Sequence, residues 1–125
     1  MYKLIAIDLD GTMLNSYGMV TENTKQVIKN TINKGTEVII ASGRPIDSIK
    51  TIAKEIGSEN YFIAGNGALI YDIKKDEIII IGQDVNHIKK VLRAKIGDEI
   101  QICNNQNGEN QEQLSVIPGR ELYLQ

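Results

Sequence analysis

Two carboxylates stand two residues apart, Asp8 and Asp10, followed at once by Gly11 and Thr12. In extended backbone, residues i and i+2 point to the same side, so both acids can face one site. They follow the unbroken apolar run Leu4, Ile5, Ala6 and Ile7. That run predicts a strand buried on both faces of a parallel sheet rather than an alternating edge strand. Open α/β sheets take their ligands at the carboxyl ends of such strands. Acids placed there suit a metal, a phosphate or a proton. The plainer reading is a β-hairpin, since Asp-Gly between apolar runs signals one. Against it, Asn15, Ser16, Tyr17 and Gly18 make a poor partner strand.

The second stretch with chemical potential is Ser42-Gly43-Arg44-Pro45. It follows a continuous apolar run, Val38, Ile39, Ile40 and Ala41, and precedes Ile46, Ile49, Ile52, Ala53 and Ile56, which recur at helical spacing. Pro45 suits the first helical turn, where its missing N–H costs nothing, and Gly57 ends the helix. Ser42 therefore lies between a strand's end and a helix N-terminus, where unpaired N–H groups and the helix dipole favour an anion. The plainer reading is a turn or capping serine. Beside two acids on a neighbouring strand, the anion reading gains weight.

The elements that must position these residues are legible in outline. Thr21 is a helix N-cap with Glu22 in the first turn, Val27, Ile28, Thr31 and Ile32 give an apolar face, and Gly35 closes the helix. Strand, helix, strand predicts a right-handed βαβ unit. A third strand runs Tyr61, Phe62, Ile63, Ala64, and Gly65 and Gly67 around Asn66 permit positive φ. Residues 69–72 and 77–81 then flank a charged hairpin tip at 73–76. A helix is expected from 84 or 85 to 96, with His87 on its surface. Residues 99–103 alternate weakly as a strand, 104–113 read as a polar loop, 114–117 as a last strand, and 120–125 as a tail without assignment.

Asp8-Leu9-Asp10-Gly11-Thr12-Met13-Leu14 resembles the DxDGT(x)L signature of the haloacid dehalogenase superfamily of phosphohydrolases. Ile39-Ile40-Ala41-Ser42-Gly43-Arg44-Pro45 is similar to the second motif of its Cof-type branch, and Asn66-Gly67-Ala68 to a stretch that lines the same site mouth. The resemblance implies an α/β fold: a Rossmann-like three-layer core with a parallel sheet, incomplete over residues 1–84, then the start of an α+β cap over 85–125. It implies a Mg²⁺-dependent phosphatase with Asp8 as nucleophile and Asp10 as general acid and base. Mg²⁺ would sit on the Asp8 carboxylate and the Asp10 backbone carbonyl. Leu9, Gly11, Thr12, Ser42 and Gly43 would hold the phosphoryl group, with Arg44 and Asn66 near the substrate.

Two family features are not recognisable: the lysine that neutralises the phosphoaspartate and the Gly-Asp-x-x-Asn-Asp run that completes the metal site. Gly97-Asp98 continues Glu99-Ile100, so the acidic pair is absent, while Lys89, Lys90 and Lys95 read as a solvated helix face. The chain therefore reads as an N-terminal portion whose three-strand sheet leaves an open edge. A non-enzymatic alternative follows, a phosphate-binding or oligomerising module. A receiver-like phosphoacceptor is excluded, since Ile63, Ala64, Gly65 and Asn66 offer no Asp after the third strand.

Composition limits the rest. The chain has 125 residues, 42% apolar and 24% charged, with a net charge of −2, ordinary for a globular domain. No basic cluster with an aromatic platform supports nucleic-acid binding. No apolar run suits a membrane span, and no signal-type core opens the chain. The single Cys103 fits a reducing compartment. The expected setting is the cytoplasm, and the expected partner a small phosphorylated metabolite such as a sugar phosphate. A homo-oligomer or a missing C-terminal half is the expected way to cover the open edge.

Overall fold

The computed structural model describes residues 2–67, 69–80, 99–104, 108–116 and 122–124; for residue 66 and from residue 80 onward the description is of the backbone alone. The expected helix at 84–96, with His87, Lys89, Lys90 and Lys95, lies outside the described residues, as do Gly97, Asp98 and the division at residue 84.

The first half is a β-α-β-α-β sequence: β1 (Leu4–Ile7), α1 (Glu22–Asn33), β2 (Glu37–Ile40), α2 (Ile46–Ile56) and β3 (Tyr61–Ala64). β1 and β2 pair in parallel from Leu4 opposite Glu37 to Ile7 opposite Ile40. The pairing runs on into the amide of Ala41, which donates to the Ile7 carbonyl at 2.9 Å. A parallel bridge, Ala41 to Ile63, sets β3 against β2. The result is mixed α/β with a parallel sheet, and the hairpin reading of Asp10-Gly11 is set aside.

Both helices begin and end for local reasons. Thr21 caps α1, its Oγ1 accepting from the Thr24 amide at 3.2 Å. Gly57 ends α2 in the left-handed region, φ 78°, where glycine meets no Cβ penalty. Pro45 stands at the cap position, one residue before the first helical turn. The five apolar residues expected to face inward from α2 are all buried. α1 contributes less: Ile28 is buried and Ile32 packs against the core, whereas Val27 is exposed. One core cluster joins Leu9, Met13 and Leu14 to Val38, Ile40, α2, Phe62 and Tyr71. The Phe62 and Tyr71 rings stack 4.8 Å apart.

β4 (Leu69–Asp72) and β5 (Glu77–Ile80) form the expected hairpin, with Leu69 opposite Ile80 and Asp72 opposite Glu77. β4 also pairs antiparallel with β3. At the tip Asp76 takes a positive φ of 55°. Lys50 lies 3.1 Å from its carboxylate, and the Tyr71 hydroxyl donates to the same group. The isoleucine-rich β5 is paired on both sides, by β4 and by β8.

Two expectations are corrected, and the unassigned tail gains an element. β1 is not buried on both faces: Leu4 is 53% exposed and Ala6 is exposed too. Among the described strands β1 pairs with β2 alone, and its alternating exposure, with Leu4 and Ala6 out and Ile5 and Ile7 partly covered, is that of a strand covered on one face. The polar stretch expected as a loop is instead most of β7 (Gly108–Val116). It lies antiparallel to β6 (Glu99–Asn104), from Glu99 opposite Gln113 to Asn104 opposite Gly108. Ladder hydrogen bonding outweighs the weak strand propensity of its side chains. The tail carries β8 (Leu122–Leu124), seated between β5 and β7.

Truncating Phe62, fully buried and stacked, leaves a cavity that its neighbours fill only in part. Phe62→Ala should lower unfolding free energy by about 3–5 kcal/mol, read as an earlier urea midpoint at unchanged slope.

Candidate active site

The chain leaves β1 through a turn whose closure depends on one glycine. Leu9–Met13 make a single wide turn in which Asp10 is extended and Gly11 takes φ 77°. Two hydrogen bonds close it, Met13 N–H to the Asp8 carbonyl at 3.1 Å and Leu14 N–H to the Leu9 carbonyl at 3.0 Å. A Cβ at Gly11 would meet nothing within 4 Å, so conformation and not space demands glycine. Leu9 is fully buried while Asp8 and Asp10 are exposed. Burying Leu9 therefore turns both carboxylates outward, on the side opposite the core. Asp8 Oδ1 accepts from the Leu9 amide at 2.8 Å, which fixes its rotamer.

Ser42 arrives from the neighbouring strand. It is 6% exposed, its amide donates to the Ile63 carbonyl at 2.9 Å, and its Oγ accepts from the Arg44 amide at 3.0 Å. The loop therefore tightens on its own serine, and this hydroxyl shapes it whatever else the hydroxyl does.

Arg44 ties the two stretches together. Its Nε donates to Asp10 Oδ2 at 2.8 Å and its Nη2 to Oδ1 at 2.7 Å, a two-point pairing that suits guanidinium and carboxylate planes. Nη1 reaches Ser48 Oγ at 3.4 Å. The Arg44 side chain is 33% exposed and that of Asp10 62%. The hydrogen bonds from Arg44 hold the Asp10 carboxyl below its ordinary value and outweigh the opposing effect of desolvation; Arg44 is raised in turn.

The structure thus brings Asp8, Leu9, Asp10, Gly11 and Thr12 into one turn, and links it through Arg44 to Ser42 and Gly43. Gly11, Thr12 and Gly43 are exposed. Asn66 sits in a short turn, Gly65–Gly67; its side chain lies outside the described residues. The Asp10–Arg44 pair is the feature that sequence reading missed, since 34 residues separate the two and neither carries a local mark of the other. Among the described residues no three His, Cys, Asp or Glu side chains gather as a metal cluster. The oxygens that could hold a hard cation are the Asp8 carboxylate and the backbone carbonyl of Asp10, both on the exposed turn. They fit Mg²⁺, which commonly binds through one or two carboxylates and retains several waters. A cleft of about 350 Å³ lies elsewhere, lined by Lys50, Lys54, Tyr71, Ile73 and Asp76 among others, and none of the acid-turn residues line it. No described helix is long and apolar enough to cross a membrane.

Replacing Arg44 by Gln removes the fork and should raise the Asp10 carboxyl toward 3.8, read by carboxyl ¹³C NMR titration. A carboxyl lowered in the fold stabilises it above the unfolded-state pKa, and loses that contribution as pH falls through the folded-state value. The native chain should accordingly lose stability between the ordinary aspartate pKa and more acid pH, and Arg44→Gln should lose less there.

Comparison with known proteins agrees with the geometry. Residues 5–116 match the haloacid dehalogenase-like hydrolases. A Buchnera aphidicola protein named as a phosphatase is 39% identical over 93 residues, covering 74% of this chain and 35% of that protein. The Bacillus subtilis phosphatase YwpJ is 39% identical over 70 residues, 56% of this chain and 25% of its own length. A crystal structure of a haloacid dehalogenase-like hydrolase from Bacteroides thetaiotaomicron superposes with a TM-score of 0.59 at 26% identity, over 70% of this chain and 35% of that one. The chain thus spans between 25% and 35% of the length of these proteins. On the extent of the match, the chain belongs to the haloacid dehalogenase-like hydrolase family.

Proposed function

We propose that the chain carries the nucleophile half of a phosphomonoesterase that acts on a small phosphorylated metabolite, with sugar phosphates as the first class to try. The supporting observation is the acid turn joined through Arg44 to the Ser42 loop, which puts carboxylates and anion-binding groups side by side. Residues 1–84 are read as core and 85–125 as the start of a cap-like segment, and the working compartment as the cytoplasm. Partners other than the metabolite are a second copy or the segment of the relatives' length that this chain does not span.

In the first step an Asp8 carboxylate oxygen forms a bond to phosphorus while the bond to the ester oxygen breaks in line. The electron pair leaves with that oxygen, which takes a proton from Asp10. In the second step Asp10, now a carboxylate, removes a proton from water. The water oxygen bonds to phosphorus and the phosphorus–oxygen bond to Asp8 breaks, releasing phosphate. Ser42 Oγ and the amides of Gly11, Thr12 and Gly43 hold the non-bridging phosphoryl oxygens, and the Leu9 amide joins them once it is released from Asp8 Oδ1. Members of this family in general use Mg²⁺; bound by Asp8 and the Asp10 carbonyl, it would offset phosphoryl charge. Asp10 enters the cycle protonated, so one arm of the Arg44 fork must open, and the carboxylate formed by proton donation closes it again.

A second reading has its own support. Among the described residues the site shows two acids, one serine and one cation, a set that suits a phosphate-binding module. Such a module would bind phosphate without turning it over.

Hydrolysis of an aryl phosphate in the presence of Mg²⁺ separates the two. Asp8→Asn should abolish turnover, and Asp10→Asn should lower it by about 10²–10⁴. Turnover retained in Asp8→Asn would overturn the assignment. Phosphate binding without turnover in the native chain would favour the module. Ser42→Ala should weaken phosphate binding by about tenfold, the scale of a hydrogen bond to a charged group, measured by calorimetry.

A further inference from the structure

We infer that Arg44 is a positioning residue, holding Asp10 by both carboxylate oxygens and working through it rather than on the phosphate. The inference rests on the phosphatase reading above. The guanidinium spends Nε and Nη2 on Asp10, at 2.8 and 2.7 Å, and directs Nη1 toward Ser48. Its own amide is tied to Ser42 Oγ. The group therefore addresses protein atoms with three of its nitrogens and with its backbone, and its plane is set by the carboxylate it grips.

The charge balance points the same way. Asp8 and Asp10 both present carboxylates to the side where a phosphate would approach, and like charges at short range repel. Lys25 is engaged by Glu22 and Glu55, and Lys50 by Asp76. Among the described residues, Arg44 is the cation in contact with the acid turn. While Asp10 is ionised, covering it lowers the repulsion a phosphate meets and fixes the carboxylate that takes the proton from water in the second step. Arg44 thus matters to the phosphate only while Asp10 carries charge, a condition that a direct phosphate ligand would not obey.

A double-mutant cycle on inorganic phosphate affinity tests this by calorimetry, using the full chain, Arg44→Gln, Asp10→Asn and the double variant, each with its melting curve to establish folding. Arg44→Gln should weaken binding about fivefold, the upper range for a partly exposed pair. The double variant should return to within about twofold of Asp10→Asn, since the additivity of independent sites fails for a coupled pair. Arg44→Lys should restore only part of the loss, because one ammonium cannot grip both oxygens. Additive losses in the double variant would show Arg44 acting on phosphate directly and overturn the inference alone. Full rescue by lysine would overturn the two-point geometry. Absence of phosphate binding in every chain would overturn both this inference and the phosphatase reading.

Discussion

The parallel register of β1 and β2 is the constraint on which the site depends. With Ile7 opposite Ile40 and the Ala41 amide on the Ile7 carbonyl, both strands end at the same level. Whatever follows each strand emerges side by side, so Asp8–Thr12 and Ser42–Arg44 become neighbours although 34 residues separate Asp10 from Arg44. A one-residue slip would turn every β2 side chain to the opposite face, and Val38 and Ile40, both in the core, resist it. Ser58 braces β2 from its other side, its buried hydroxyl donating to the Val38 carbonyl at 2.7 Å.

Onto this frame the turn after β1 adds a division of labour among adjacent residues. Leu9 anchors the turn by burial, Gly11 supplies the backbone angle, and the acids on either side of Leu9 are left outward by default. No dedicated interaction has to expose them. Charge is then managed across the gap by Arg44, whose short distances to Asp10 give the pair more geometric definition than a typical surface ion pair. The same loop closes on Ser42. Hydrogen bonding, charge and chain direction therefore converge on one short segment at the N-terminus of α2.

The sequence was informative wherever a local cause decided the outcome. Thr21 and Gly57 mark helix ends because capping is local, and the α2 face is readable because five apolar residues keep one period. The acid turn and Ser42 stood out through their place after apolar runs. The misreadings share a different cause. Leu4 and Ala6 look like buried strand residues, yet their exposure depends on what lies beside β1, which no local pattern encodes. Gln111 and Glu112 look like loop residues, yet β6 offers them a ladder. Val27 fits a helical stripe but falls off the face that the core covers. Arg44 carried a motif position but no sign of its partner, since pairing across the sheet is tertiary.

The most direct test of phosphoryl chemistry at Asp8 is ¹⁹F NMR of the chain with beryllium fluoride and Mg²⁺, since trifluoroberyllate bonded to a carboxylate imitates an aspartyl phosphate. The expected result is a set of protein-bound fluorine signals that vanishes in Asp8→Asn and persists in a folded control altered far from the turn. Free beryllium fluoride signals alone, or bound signals that survive in Asp8→Asn, would contradict the assignment of Asp8 as the acceptor of the phosphoryl group.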